Sequence, residues 1–273
     1  MATAKEPDYL ALAKTRAGTP SRRASYRKIF VYGRNKKGKT RLGMTAGRDN
    51  ILFIDPESGT DLMRSSATDP FVWWVNEWEG MQEVYGALRT GKLTPNHIIQ
   101  GESSTPFSWV SVDGLTKMNN MALKYVMKTE ELRNLDRQPG FVDRRDYGKS
   151  GELMKQMILN FQSLKMNVYY TAQEKMISEG NTFDDDEDVS ESDAYYVSDL
   201  PNAVRGYMNS QADVVGRLYV ARIEVKGKPV NQRRLQIGLH EKYDTGFRSD
   251  FLLPDMIKRP TLPGLVALME EGE

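Results

Sequence analysis

Residues 33–40 read Gly-Arg-Asn-Lys-Lys-Gly-Lys-Thr, a match to G-x-x-x-x-G-K-[ST], and few sequence features restrict a fold as tightly. The pattern requires a strand before it and a helix after it. The apolar run Ile29-Phe30-Val31-Tyr32 supplies the strand. Gly33 and Gly38 let the backbone turn so that successive N–H groups converge on phosphate oxygens. Lys39 then places a point charge near the β- and γ-phosphates, and Thr40 offers a hydroxyl to Mg²⁺. A helix opening near Gly38 adds its positive end. Arg34, Asn35, Lys36, Lys37 and Arg41 complete the expected nucleotide-contacting set, with ATP and Mg²⁺ as the expected cofactors. A basic turn without a ligand would have no need of that strand or of the two carboxylates described next.

The first carboxylate ends Asn50-Ile51-Leu52-Phe53-Ile54-Asp55-Pro56-Glu57. The apolar part reads as a second buried strand, and open α/β sheets bind ligands just past the C-terminal ends of such strands. Glu57 is therefore the candidate base that orients an attacking water, against the plainer reading of a turn carboxylate. The second ends Phe107-Ser108-Trp109-Val110-Ser111-Val112-Asp113, a third strand. Asp113, expected on a strand next to the phosphate loop, could hold Mg²⁺ through its water shell or simply cap the helix starting at Leu115. Met166-Asn167-Val168-Tyr169-Tyr170-Thr171 is a fourth strand ending in Ala172-Gln173-Glu174-Lys175. Gln173 is either a sensor of the γ-phosphate or an ordinary polar strand end.

Between the strands, helices are expected over 38–46, from Pro70 to Arg89, from Leu115 to Arg133 and from Gly148 to Lys165, with a loop from Asp136 to Tyr147. The Pro70–Arg89 helix rests on Phe71, Trp74, Val75, Trp78, Met81, Tyr85 and Leu88 at steps of three and four, read as core aromatics rather than base-stacking platforms. Residues 176–210 carry Asp184-Asp185-Asp186-Glu187-Asp188 with Glu191 and Asp193, too much like charge to pack. They read as a mobile acidic loop insertion. From Asp213 the pattern turns to β, with Val214–Val225 and Arg233–His240 as a hairpin-like pair. Lys242 and Arg248 follow; they are either solubility residues or, in a ring or filament, cations reaching a neighbour's nucleotide.

Composition limits the partners. Across 273 residues the net charge is +1, so any nucleic-acid binding has to come from a local patch. The basic lead-in is one candidate, with Lys5, Lys14, Arg16, Arg22, Arg23, Arg27 and Lys28 against Glu6 and Asp8. There is no cysteine and there are two histidines far apart, which argues against disulfides and zinc. No run approaches membrane-spanning length and no signal-peptide core is present, so a soluble, intracellular protein is expected, with no membrane partner.

The phosphate loop, Phe-Ile-Asp-x-Glu on the next strand, an aspartate-terminated third strand and a Gln-ended strand before a long loop and hairpin resemble the RecA-like P-loop ATPase core. The lack of large accessory domains is similar to the core-only, RecA-like single-strand annealing proteins of phages, the Sak four group. The likeness covers about residues 28–250. It implies an α/β fold with a central, mostly parallel sheet flanked by helices and a C-terminal β-hairpin. The division expected is a basic arm over 1–27, an ATPase domain over 28–255 and a tail over 256–273. It further implies that Lys39 and Thr40 bind nucleotide and Mg²⁺, that Glu57 activates water, and that Asp113 supports the metal. Gln173 would couple nucleotide state to a DNA-binding loop, and Lys242 or Arg248 would act across a subunit interface.

The function expected is DNA-stimulated ATP hydrolysis in recombination or strand annealing, with a ring-forming helicase or a weakly hydrolysing loader as alternatives. The expected partners are single-stranded DNA, further copies of the chain in a ring or filament (a hexamer among the options), and a single-stranded DNA-binding protein. Arg22, Arg23, Lys175, Arg205 and Tyr207, with Tyr195 or Tyr196 for stacking, are the expected DNA contacts. The compartment expected is the cytoplasm, that of a host bacterium if the chain is phage-encoded.

Overall fold

The computed structural model describes residues 8–19, 25–61, 63–65, 69–178 and 194–272. Helix α1 (Tyr9–Arg16) precedes strand β1 (Lys28–Tyr32), and α2 (Lys39–Gly43) follows the glycine-rich loop. Strand β2 (Ile51–Asp55) leads to β3 (Phe71–Trp74), α3 (Gly80–Leu88), the short α4 (Pro95–Ile98) and β4 (Trp109–Asp113). Two long helices, α5 (Leu115–Arg133) and α6 (Arg144–Gln162), lead into β5 (Asn167–Ala172). Next come β6 (Glu174–Ser178), β7 (Ala194–Ser198) and α7 (Asn202–Gln211). The chain ends through β8 (Val214–Val225), β9 (Lys228–Gln236), β10 (Gly246–Phe247), β11 (Met256–Lys258) and α8 (Leu262–Glu271).

One sheet organises the molecule, in the order β11-β9-β8-β1-β5-β4-β2-β3 with β10 paired to β8. The strands from β8 to β3 run parallel, and β9, β10 and β11 are antiparallel additions. The fold is α/β, with a mostly parallel sheet flanked by helices. Period-two alternation sorts the side chains: Phe30 and Tyr32 face a core filled by α3, α5, α6 and α7, while Ile29 and Val31 face a second core with α2 and α8. All five residues of β1, β2 and β4 are buried, as expected of strands covered on both faces. The β8–β9 hairpin turns through Lys226 (φ 51°) and Gly227 (φ 74°). Two left-handed residues in a two-residue loop match the right-handed twist of the strands.

Several expectations are corrected. The Pro70–Arg89 stretch is not one helix: Phe71–Trp74 pairs in parallel with Leu52–Asp55, and α3 begins only at Gly80. Phe-Val-Trp-Trp is aromatic and β-branched, and the open sheet edge beside β2 rewards that more than a helical spacing does. Helix α6 starts at Arg144, within the expected loop, because the Asp143 carboxylate accepts a hydrogen bond from the Arg145 N–H (2.9 Å) and the Asp146 carboxylate accepts one from the Asp143 N–H (2.8 Å). That reciprocal cap makes the helix start there.

The interval 176–210 is not one loop. β6 and β7 pair as a hairpin, and α7 buries Val204 and Met208. Its acidic run, Asp184–Asp193, lies outside the described residues. Residues 256–273 do not form a tail: β11 pairs with β9, and α8 buries Leu262, Leu265 and Met269. No described helix is long and apolar enough to cross a membrane.

Candidate functional site

The parallel strands deliver their C-terminal ends to one edge of the sheet, and the loop 33–40 crosses that edge. Gly33 is buried, and a Cβ there would lie 2.4 Å from the Leu218 carbonyl oxygen on β8. Only a bare Cα lets the chain leave β1 so close to its neighbour. Arg34, Asn35 and Lys36 are exposed, and Lys36 takes a left-handed φ of 61°. Gly38 has φ 97° and is the N-cap of α2. Lys39 folds back over the loop and donates to the carbonyls of Gly33 (2.7 Å) and Arg34 (3.2 Å). Tyr169 on β5 donates to the Lys39 carbonyl at 3.0 Å, which pins the first turn of α2 to the sheet. Arg41 is exposed on that turn.

The carboxylates converge on this loop. Asp113 is not on a strand adjacent to β1, as expected, because β5 lies between β1 and β4. It nevertheless acts at the loop: its carboxylate accepts a hydrogen bond at 2.5 Å from Thr171 on the intervening strand, and the Thr40 hydroxyl favours its ionised form. Burial raises the Asp113 carboxyl above its ordinary value, opposed by the two hydroxyls. Glu57 lies against Gly114, where a Cβ would be 3.2 Å from its carboxyl carbon. Burial and the Asp113 charge push Glu57 up in turn. Burial pushes Lys39 down, with Asp113, Glu57 and Glu174 pulling it back. A lysine, a hydroxyl and two carboxylates thus share one electrostatic field. Asp55 serves another purpose: it accepts from the Glu57 N–H (2.9 Å), the Thr60 N–H (2.8 Å) and the Thr60 hydroxyl (2.6 Å). It braces the turn that aims Glu57.

The donor set fits a hard cation. Mg²⁺ takes one or two protein oxygens beside water and phosphate oxygens, and the half-buried Thr40 hydroxyl and the buried Asp113 carboxylate are oxygen donors of that kind, acting on one another. When bound there with a nucleotide, Mg²⁺ would neutralise phosphate charge.

Gln173 sits one residue before β6. Its N–H donates to the Thr116 hydroxyl at 3.1 Å and its carbonyl accepts from the Asp199 N–H at 2.8 Å. The side chain that touches the phosphate loop from this strand end belongs to Glu174, which the sequence reading passed over. Its carboxylate is 2% exposed and takes Arg217 Nε at 2.6 Å and Arg34 Nε at 3.2 Å. Arg217 also lies over the rings of Tyr243 (4.2 Å) and Tyr196 (4.9 Å). The signal was available: an arginine inside Val214-Val215-Gly216-Arg217-Leu218 is a charge in a buried strand and needs a partner.

The remaining expected site residues are dispersed. Lys242 is exposed, and its carbonyl accepts from the Tyr196 N–H at 2.8 Å. Arg248 lies at the opposite sheet edge from the phosphate loop, where its N–H meets the carbonyl of Asp213 ahead of β8 and its guanidinium holds the Ser210 carbonyl. Neither joins the loop of its own chain. Lys175 is exposed on β6, and Arg205 on α7 donates to Asn202 at 2.8 Å. Tyr207 is half-buried against the core, and the Arg217 guanidinium lies over the half-buried Tyr196 ring. Arg22 and Arg23 lie outside the described residues.

A family model described as an AAA domain matches residues 25–249. No curated protein matches the chain. Among solved structures, a KaiC-like protein from the hyperthermophilic archaeon Pyrococcus horikoshii OT3 is similar at 11% identity and a TM-score of 0.41, covering 81% of this chain and 82% of that one.

Proposed function

This chain belongs to the AAA domain family, and on that premise we propose that it is a RecA-like P-loop ATPase that assembles with copies of itself and acts on single-stranded DNA in recombination or annealing, as in the phage proteins it resembles. One observation carries the ATPase reading: Lys39 folded onto the phosphate loop at the Gly33 carbonyl (2.7 Å), with the buried Asp113 carboxylate, held by Thr171 at 2.5 Å, and Glu57 acting on it. The loop N–H groups and Lys39 would hold the β- and γ-phosphates, Thr40 and Asp113 would hold Mg²⁺, and Glu57 would orient the attacking water. In this reading Arg248 or Lys242, neither of which joins the loop of its own chain, serves a neighbour's nucleotide. Such an arrangement makes assembly part of the active site.

The deciding experiment is steady-state ATP hydrolysis with and without single-stranded DNA, for the parent and Lys39→Ala. DNA-stimulated turnover that vanishes in Lys39→Ala is expected. Tight ATP binding with no turnover under either condition would instead leave a nucleotide-dependent binding module.

The pH profile carries a further expectation. Glu57 works as a carboxylate, and its pKa is raised from 4.5 by burial and by Asp113, while Lys39 and Lys117 lower it. Hydrolysis should therefore fall, as pH drops, at a higher pH than an ordinary glutamate would dictate. Removing the opposing cation in Lys117→Ala should move that acid limb higher still. A limb that stays in place would mean that the Lys117 charge does not act on the base.

A further inference from the structure

Strand β9 passes beside the phosphate loop, and its alternation selects one side chain for that side. Leu235 is fully buried in the core that holds α2 and α8, and Arg233, two residues earlier, projects to the same face. Its guanidinium reaches the loop: Nε donates to the Lys37 carbonyl at 3.3 Å. The contact is closer still at Gly38, where a Cβ would stand 2.4 Å from Arg233 Nε and 3.2 Å from Nη2. Gly38 is bare and left-handed, so the guanidinium seats directly on the backbone that turns N–H groups toward phosphate.

Two further observations bear on the role. No carboxylate among the described residues pairs with Arg233, whereas Arg34, Arg48, Arg137 and Arg217 each hold one. A planar fork with unused donors beside a phosphate cradle has the chemistry to take phosphate oxygens. The strand beneath it is also fixed on both sides. Val220 of β8 is its register partner, and its carbonyl accepts from the Arg259 N–H at 2.9 Å after β11. The position is rigid and belongs to the same chain as the loop.

We propose that Arg233 is a nucleotide-binding residue acting in cis, its guanidinium contacting the phosphate chain of a nucleoside di- or triphosphate held on the loop 33–40. This rests on the ATPase reading above and adds to it a cation that is neither in the loop nor supplied by a neighbouring subunit. Because Gly38 belongs to the part of the loop that cradles the inner phosphates, ADP and ATP both depend on it. The side chain is exposed, so its replacement leaves the core untouched.

The test is equilibrium binding of fluorescent ATP and ADP analogues to the parent, Lys39→Ala, Arg233→Ala, Arg233→Gln and Arg233→Lys, each checked by thermal melting for an unchanged fold. Arg233→Ala should weaken both nucleotides about tenfold or more, the range of a charge-assisted contact. Arg233→Gln should be equally weak, and Arg233→Lys should recover part of the loss. Gln can still donate to the Lys37 carbonyl, so parental affinity in Arg233→Gln would make this residue a prop for the loop and overturn the proposal, as would parental affinity in Arg233→Ala. Parental binding that Lys39→Ala abolishes secures the phosphate-loop reading independently. No binding by the parent overturns both readings together.

Discussion

A chain truncated after Arg259 should fail to hold its native fold, although residues 256–273 read from sequence as a tail. Helix α8 closes the second core: Leu262, Leu265 and Met269 are 0%, 1% and 3% exposed, and they pack with Ile29, Val31, Leu42 and Phe53. Burying one such side chain is worth about 1.5–3 kcal/mol, so the three together contribute about 5–9 kcal/mol. That approaches the about 5–15 kcal/mol that holds a whole domain together. The loss would fall on the nucleotide side of the sheet. The Leu262 N–H donates to Thr45 Oγ1 at 2.8 Å, directly after α2, and Arg27 ahead of β1 pairs with Glu270 at 3.5 Å. Circular dichroism and thermal melting of the truncated chain are the measurements. An unchanged cooperative melt would show that α8 is dispensable.

Glu57→Gln should lower ATP turnover by about 10²–10⁴-fold, the usual contribution of a positioned general base, with ATP affinity nearly unchanged. The substitution preserves size, which matters because the Glu57 carboxyl fits closely against Gly114, itself held at φ 113°. Asp55 is left to brace the turn through Thr60, so the backbone at 57 keeps its place. Single-turnover hydrolysis beside equilibrium ATP binding separates the two effects. Equal loss of binding would indicate that Glu57 shapes the nucleotide pocket, and retained turnover would move the base elsewhere.

Much of this arrangement was written locally. Gly33, Gly38, Lys39 and Thr40 are recognisable because a phosphate cradle needs those residue types at that spacing, and the runs ending in Asp55 and Asp113 are continuous enough to read as strands buried on both faces. Long helices such as Leu115–Arg133 declare themselves by periodicity. The failures also have local causes. Phe71, Trp74, Val75 and Trp78 satisfy a helical step and a strand composition equally, and only the free edge of β2 decided between them. The Asp143-Asp146 cap was hidden in a charged stretch that looked like a loop.

The phosphate loop and the strands before and after it are local matters, because backbone conformation over a few residues and alternation along one strand are short-range properties. The tertiary structure alone decided which distant residues meet that loop. Strand order brought Thr171 between Asp113 and the loop, Glu174 onto Arg34 and Arg217, and Arg233 onto Gly38. These are pairs separated by many residues of chain, joined by the crossovers of a parallel sheet, and no local pattern carries that information. Electrostatics then completes what topology begins, since a buried charge such as Glu174 is tolerated only where the fold supplies its counter-ions.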